Sequence, residues 1–241
     1  MLHFSMENSR ILRIILLSAV AVAVVVGVAL GAFFLHKAIV NTTPPGGDPI
    51  APYDRKPPPV GIQPPDWVRQ DLLSLNPFSR PGDPLLQVNG VVVHYVANPG
   101  SSAQANRNYF AQLSEQTVPP TEETLTPDDN APKLTYASSH FIIDMDGSII
   151  QCVPLSEISY CSNQRNIDTI AIEVCHPDET GEFTEESYAS LVRLTRWLCE
   201  TYTLTGNDLL RHYDITEKLC PLYYVEHPSA WETFKQEVDK R

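Results

Sequence analysis

The longest apolar run of the chain lies near its start, at residues 14–35, and contains no charged side chain. As a helix, a run of this length spans roughly 30 Å, the thickness of a bilayer's hydrocarbon core. Arg10 and Arg13 precede the run, and basic residues on this flank favour the cytoplasmic side. We therefore predict a short cytoplasmic tail at residues 1–13 and a single-pass transmembrane signal anchor at residues 14–37. The rest of the chain then lies on the extracellular side of the cytoplasmic membrane.

A cleaved signal peptide is the alternative interpretation of the same run. The apolar region of such a peptide usually has about 7–15 residues, whereas this run is longer. The small residues at 29–32 could form a cleavage site. The length of the run favours the uncleaved anchor.

Residues 38–65 are rich in proline and poor in large apolar side chains. Such a segment buries too little apolar surface to offset the loss of chain entropy on folding. We predict that it is an extended linker, which carries a domain formed by residues 66–241 away from the membrane.

The hydrophobic pattern after this linker predicts several strands. Residues 88–96 are dense in β-branched side chains, and residues 168–175 form a nearly continuous apolar run, as expected for a strand covered on both faces. Residues 140–153 contain two apolar runs joined at Asp146 and Gly147, which is a strong hairpin signal. These strands predict a sheet at the centre of the domain.

Helices are predicted between and after these strands. One helix occupies residues 101–116, and a second begins after Thr184, whose side chain can cap it. A last helix follows a capping-box pattern at Ser229 and Glu232, and residues 117–132 form a surface loop. This order of elements predicts an α/β fold, a single domain with a central mixed β-sheet flanked by helices.

Charge and cysteine content narrow the possible partners. The net charge of −12 argues against a nucleic-acid partner, because affinity for phosphate depends on clustered Lys and Arg. The five cysteines contain no CxxC pair, and an odd number leaves at least one thiol unpaired or bound to metal. Cys152 and Cys161 could form a disulfide, whereas Cys175 and Cys199 could be free core thiols.

Two polar residues interrupt the predicted apolar strands. His94 lies among valines and is either a core histidine or a metal ligand. Glu173 lies inside the run at residues 168–175, where a carboxylate costs several kcal/mol unless it is paired or binds a cation. A structural partner for it could be Arg165 or Arg211.

The segment RHYDITEKLC adds His212, Lys218 and Cys220. Two histidines, a cysteine and a free carboxylate match a catalytic zinc site, in which three protein ligands leave the fourth position open. The carboxylate can accept a proton from water, and Lys218 can stabilise an oxyanion. The spacing between His212 and Cys220 is not specific by itself.

Four blocks of the sequence, VVVHY, SSHFIIDMDGSIIQCVP, DTIAIEVC and RHYDITEKLCP, occur in this order. They closely resemble the blocks of the type 2 N-acetylmuramoylalanine amidases, a family that includes phage lysozyme-like amidases and peptidoglycan recognition proteins. The resemblance covers residues 88–221, with a lead-in at residues 67–84, and is greatest to the bacterial and endolysin branch.

The resemblance implies that His94, His212 and Cys220 bind Zn²⁺, that Glu173 is the catalytic base and that Lys218 assists catalysis. The implied reaction is hydrolysis of the amide between N-acetylmuramic acid and L-alanine in peptidoglycan, whose glycan strand and stem peptide are then the partners. A non-catalytic peptidoglycan-binding sensor on the same fold is the alternative. A third hypothesis is a hydrolase that cuts another bond of the stem peptide.

Two positions depart from the family pattern. Ser139 stands where many relatives have tyrosine, and Cys161 stands where many have a histidine that faces the substrate. The remaining histidines have structural explanations. We expect His140 to pack or to orient a ligand, His176 to lie in an exposed turn, and His227 to be superficial.

Overall fold

The computed structural model describes residues 61–117 and 134–240. The predicted tail, the signal anchor, most of the linker and nearly all of the predicted surface loop lie outside these ranges. Within the two described ranges, no helix is both long enough and apolar enough to cross a bilayer.

The centre of the fold is a six-stranded mixed sheet with the strand order β1-β4-β3-β5-β2-β6. Strands β3 and β4 pair in antiparallel orientation, and the other neighbouring strands pair in parallel. The prediction of a mixed sheet is therefore confirmed. The strands are β1 (Val68–Gln70), β2 (Val91–Tyr95), β3 (Phe141–Ile143), β4 (Ile149–Gln151), β5 (Ile170–Val174) and β6 (Leu209–Arg211).

Helices cover both faces of this sheet, as predicted. The larger core cluster joins β2 and β5 to α2 and α5, and the smaller cluster joins β3 and β4 to α1. Side chains alternate between the faces of a strand, so β3 and β4 contribute to both clusters. The helices are α1 (Ala103–Gln112), α2 (Glu185–Tyr202), α3 (His212–Thr216), α4 (Leu222–Glu226) and α5 (Pro228–Asp239).

Local signals in the sequence account for the hairpin and for the start of α2. In the β3–β4 turn Gly147 has a φ of +80°, a conformation that favours glycine. The Asp144 N–H donates to the Ser148 carbonyl oxygen over 2.8 Å and closes the turn. Thr184 caps α2, because its hydroxyl accepts from the Ser187 N–H at 3.1 Å.

Other expectations about the elements were wrong or incomplete. The last helix exists, but it begins at Pro228, so the predicted capping box of Ser229 and Glu232 does not form. Proline suits the first helical position, because its φ is preset and no N–H is lost. Strands β1 and β6 were not predicted, because three residues are too few to show a period.

Candidate metal centre

The candidate residues meet at the carboxyl ends of three parallel strands. His94 in β2 lies directly opposite Glu173 in β5, so the two side chains share one face of the sheet. On the other side of β2, Val93 is aligned with Arg211 of β6. The next residue, His212, therefore emerges beside His94 as the first residue of α3.

Cys220 completes a group of three side chains that could bind a metal ion. It lies between α3 and α4, and its carbonyl oxygen accepts from the Tyr213 N–H at 2.9 Å. Its Sγ lies 3.8 Å from Nδ1 of His94, and the rings of His94 and His212 have centroids 4.7 Å apart. The three ligand atoms lie within 4.8 Å of one another, and all three residues are buried.

This geometry and these donors fit a zinc ion. In a tetrahedral site with Zn–N and Zn–S distances of roughly 2.1 and 2.3 Å, nitrogen and sulfur ligands are about 3.6 Å apart. Burial lowers the pKa of His94 well below its ordinary value and that of His212 to about 4, with the charge of Lys218 contributing to both. Both imidazoles are therefore neutral, as ligation requires.

Without a cation, the Cys220 thiol is not in the deprotonated form that binds a metal ion, whereas the two imidazoles are already neutral. Burial is the largest cause that raises the pKa of its thiol, to about 12, and the nearby carboxyl of Glu173 adds to the effect. Coordination to a metal ion deprotonates a thiol outright. A cation between Cys220 and the two histidines would therefore stabilise the thiolate.

Glu173 has an incompletely satisfied carboxyl group. Its Oε1 accepts a hydrogen bond from the Cys161 thiol at 3.4 Å, whereas its buried Oε2 has no partner among the described residues. Burial raises the pKa of this carboxyl to about 8, against the opposing effects of the Cys161 hydrogen bond and the charge of Lys218. The proposed partners Arg165 and Arg211 do not reach it.

Each arginine pairs instead with an aspartate three residues further along the chain. Arg165 contacts Asp168 at 2.7 Å, and Arg211 contacts Asp214 at 2.6 Å. Among the described residues, the Glu173 carboxyl therefore has no cationic partner in direct contact.

A cavity of about 430 Å³ opens over the group and contains all five candidate residues in its lining. Lys218 is exposed and lies at the cavity without an ion pair to any described carboxylate. Aromatic side chains form much of the remaining wall, namely those of Tyr95, Phe110, Tyr136 and Tyr160. The site is thus an open pocket with candidate ligands, a carboxyl group, a cation and aromatic surface.

The expectations for two of the other histidines are confirmed, and the expectation for the third is wrong. His140 is a buried packing residue whose Nδ1 accepts from the Ala171 N–H at 3.1 Å and whose Nε2 donates to the Glu157 carbonyl oxygen at 2.9 Å. His227 is exposed, as expected. His176 is not an exposed turn residue: it is buried and stacks on Tyr95 of the neighbouring strand.

All five cysteines are free thiols, so the possible disulfide between Cys152 and Cys161 is not formed. Cys152 is buried in the smaller core cluster beside α1, whereas Cys161 faces Glu173 in the cavity. Ser139 is also buried, and its hydroxyl donates to the Phe141 carbonyl oxygen at 2.9 Å. It takes no part in lining the cavity.

Two residues at the site were missed from sequence. Ser162 Oγ lies 3.3 Å from Nε2 of His94, and Asn163 Oδ1 lies 3.0 Å from Nε2 of His212. Both occur in a polar loop whose composition does not distinguish it from other loops. Only the folded arrangement identifies them.

The fold and the site together define an α/β domain with a candidate metal centre of two histidines and one cysteine. The profile of the family described as N-acetylmuramoyl-L-alanine amidase matches residues 84–222, which is more than half of the chain. The chain therefore belongs to the N-acetylmuramoyl-L-alanine amidase family.

The curated relatives agree with this assignment. The chain is 29% identical over 184 residues to N-acetylmuramoyl-L-alanine amidase CwlL of Bacillus licheniformis, covering 71% of this chain and 46% of that protein. It is 28% identical over 187 residues to N-acetylmuramoyl-L-alanine amidase BlyA of Bacillus subtilis (strain 168), covering 69% and 45%. The matched part of the chain thus spans about half the length of these relatives.

The structural similarity concerns the fold. The structure of PlyL aligns with a TM-score of 0.55 at 19% identity and covers 72% of this chain and 97% of that chain. The catalytic domain of XlyA aligns with a TM-score of 0.54 at 23% identity and covers 71% and 98%.

Proposed function

We propose that this protein is a zinc-dependent peptidoglycan amidase that hydrolyses the amide between N-acetylmuramic acid and L-alanine. The observation that carries the proposal is the convergence in one cavity of His94, His212 and Cys220 with the unpartnered carboxyl oxygen of Glu173. Membership of the amidase family and the names of the curated relatives support this reaction and this substrate.

In this proposal His94, His212 and Cys220 are the protein ligands that would hold Zn²⁺ at the cavity. When bound, the ion would supply a Lewis acid and would lower the pKa of a water molecule that it binds. These three side chains have no other role in the proposed reaction.

Glu173 is the proposed general base and acid. Its free Oε2 accepts a proton as water oxygen forms a bond to the carbonyl carbon of the lactyl amide. The carbon–nitrogen bond then breaks, and the same carboxyl returns the proton to the departing amino group of L-alanine. Lys218 has its charge at the cavity, where it can stabilise the negative charge that develops on the carbonyl oxygen.

We also propose the domain organisation and location that the sequence predicts. Residues 66–241 are the catalytic domain, residues 38–65 the linker, residues 14–37 the signal anchor and residues 1–13 the cytoplasmic tail. The pairing of β1 with β4 supports a domain that begins near residue 66. A catalytic domain outside the cytoplasmic membrane has access to peptidoglycan.

The test is the identification of the fragments that the full-length protein releases from purified peptidoglycan. We expect stem peptides with a new L-alanine amino terminus and glycan strands with free lactyl carboxyl groups. Glu173→Gln should abolish both, because an amide cannot act as the base. Glu200→Gln is the matched control, since Glu200 is exposed on α2 and does not line the cavity.

Two other results of this digestion would point to a different function. New termini at other positions of the stem peptide would indicate a hydrolase of another bond. Binding to peptidoglycan without any new terminus, by a protein that contains zinc, would contradict the amidase proposal and favour the sensor.

A further inference from the structure

The two histidines of the candidate metal centre are contacted by consecutive residues of one loop. We propose that Ser162 and Asn163 are positioning residues, which hold His94 and His212 in the tautomer that binds a metal ion through Nδ1. The inference rests on the proposed function, because it assigns these residues a role at the proposed zinc site.

The atoms in contact determine where the protons lie. Asn163 Oδ1 carries lone pairs and no hydrogen, so the contact of 3.0 Å requires His212 Nε2 to donate. The Ser162 hydroxyl, at 3.3 Å, can accept from Nε2 of His94 in the same way. In a neutral imidazole that donates from Nε2, Nδ1 carries the free lone pair. For His94 that nitrogen is the one that faces Cys220 at 3.8 Å.

The loop that carries these two residues is held in place by its own hydrogen bonds. Asn166 Oδ1 accepts from the N–H groups of both Cys161 and Ser162, at 3.0 and 2.6 Å. Asn163 has a φ of +52°, in the left-handed region where asparagine is one of the few favourable residues. The Ser162 side chain is buried against His94. These interactions fix the loop, so Ser162 and Asn163 are held beside the two histidines.

A fixed support of this kind affects metal affinity. A ligating histidine commonly donates its other ring N–H to a nearby acceptor, which fixes the ring orientation and the tautomer. Without that acceptor, the ring also populates the other tautomer and other rotamers. It must return to the tautomer and rotamer that bind metal, and this return costs free energy of binding. Loss of such a partner typically weakens metal binding by about 10–100-fold.

Asn163→Gly tests the proposal without straining the loop, because glycine accepts a φ of +52° even more readily than asparagine. We expect the zinc dissociation constant of the full-length protein, measured by competition with a chelator, to rise by about 10–100-fold. Asn163→Asp restores an oxygen acceptor and should bind zinc nearly as tightly as the parent. Asn207→Gly, at an exposed position of the short 3₁₀ helix before β6, is the control and should leave zinc affinity unchanged.

A second readout reports the tautomer directly. Nitrogen-15 NMR of the imidazole rings, in metal-free protein above pH 8, should show His212 protonated at Nε2 in the parent and in Asn163→Asp. Asn163→Gly should show a mixture of the two tautomers. The far-ultraviolet circular dichroism of all variants is checked first, so that a folding defect is not mistaken for a change of tautomer.

The outcomes separate this inference from the proposed function. If the parent binds zinc and Asn163→Gly binds it equally well with an unchanged His212 tautomer, the positioning role is wrong and the metal centre stands. If the parent does not bind zinc, the metal centre and the positioning role are both wrong.

Discussion

Glu173 is a half-buried residue, and the carboxyl group has one buried oxygen that no described donor contacts. Burying a charged carboxylate without a partner is strongly unfavourable, so the group retains its proton to a pKa of about 8 in the metal-free protein. A bound cation nearby would lower that pKa and restore the charged form. This dependence makes the residue suited to accepting a proton only when the metal centre is loaded.

At the same scale, Lys218 should affect catalysis far more than it affects metal binding. Lys218→Gln removes the charge at the cavity and should lower kcat by about 100-fold, the effect of losing one donor that stabilises an oxyanion. Lys218→Arg should recover part of the rate. The measurement is turnover of a soluble muramoyl-peptide, together with zinc affinity, which should change much less than kcat.

Lys240→Gln is the control for that experiment, because Lys240 is exposed after α5 and does not line the cavity. An unchanged kcat in Lys218→Gln would remove Lys218 from the proposed mechanism.

His140 predicts a pH dependence of stability. Burial lowers its pKa in the folded protein to about 4, below the ordinary value of 6.5 that the unfolded chain retains. The unfolded state therefore binds a proton more readily, and the contribution of His140 is complete above pH 6.5. It is lost as the pH falls from 6.5 towards 4, a change of about 3 kcal/mol in the free energy of unfolding.

Urea unfolding of the metal-free protein at a series of pH values measures this dependence. His140→Gln should be less stable at neutral pH but should lose less stability on acidification, because glutamine does not titrate. His227→Gln is the control, since His227 is exposed. An equal loss in His140→Gln and in the parent between pH 6.5 and 4 would contradict the prediction.

At the scale of the elements, the position of β2 between β5 and β6 creates the site. Its pairing with β5 sets His94 opposite Glu173, and its pairing with β6 delivers His212 at the same edge. A shift of one residue in register would turn His94 to the other face of the sheet. The proposed chemistry therefore depends on the register of two parallel strand pairs.

The β3–β4 hairpin packs its turn against α2, and Gly147 makes this approach possible. A Cβ at Gly147 would lie 2.8 Å from the Glu186 carbonyl oxygen and 2.9 Å from the Ser190 Oγ. Gly147→Ala should lower the free energy of unfolding by about 1–3 kcal/mol, through the positive φ and through this contact. The midpoint of urea unfolding measures the change.

Gly100→Ala is the matched control, because Gly100 also has a positive φ, of +74°, but the nearest atom to a Cβ at this position is the Pro177 carbonyl oxygen, at 4.0 Å. It reports the cost of the backbone conformation alone. Equal destabilisation by the two substitutions would show that contact with α2 contributes nothing.

At the scale of the whole molecule, we predict that the full-length protein stays in the membrane fraction of bacterial cells. Extraction with alkaline carbonate should not release it, whereas deletion of residues 1–37 should make it soluble. Deletion of residues 41–60 is the control and should leave the protein in the membrane. A soluble product shortened near residues 29–32, identified by intact mass, would instead establish a cleaved signal peptide.

The sequence predicted those parts of the molecule that have long or chemically distinctive signals. Dense apolar runs identified β2, β5 and the hairpin. The convergence of His94, His212 and Cys220 was predicted because these residues occur in blocks that resemble a known family. Glu173 was visible because it interrupts an apolar strand.

The remaining features depend on tertiary contacts. Strands β1 and β6 have only three residues each, so they form because neighbouring strands pair with them. His176 is buried because Tyr95, from another strand, stacks on it. Asn163 approaches His212 across 49 positions of sequence, and no local pattern encodes such a contact.

The most direct test of the central claim is the zinc dependence of amide hydrolysis. Metal-free protein is titrated with Zn²⁺, and new L-alanine amino termini in purified peptidoglycan are counted at each addition. We predict no termini without metal, a rise that ends at one equivalent of zinc, and no recovery in Cys220→Ala at the same concentrations. Full activity of the metal-free protein, or recovery of Cys220→Ala equal to that of the parent, would contradict the proposed metal centre.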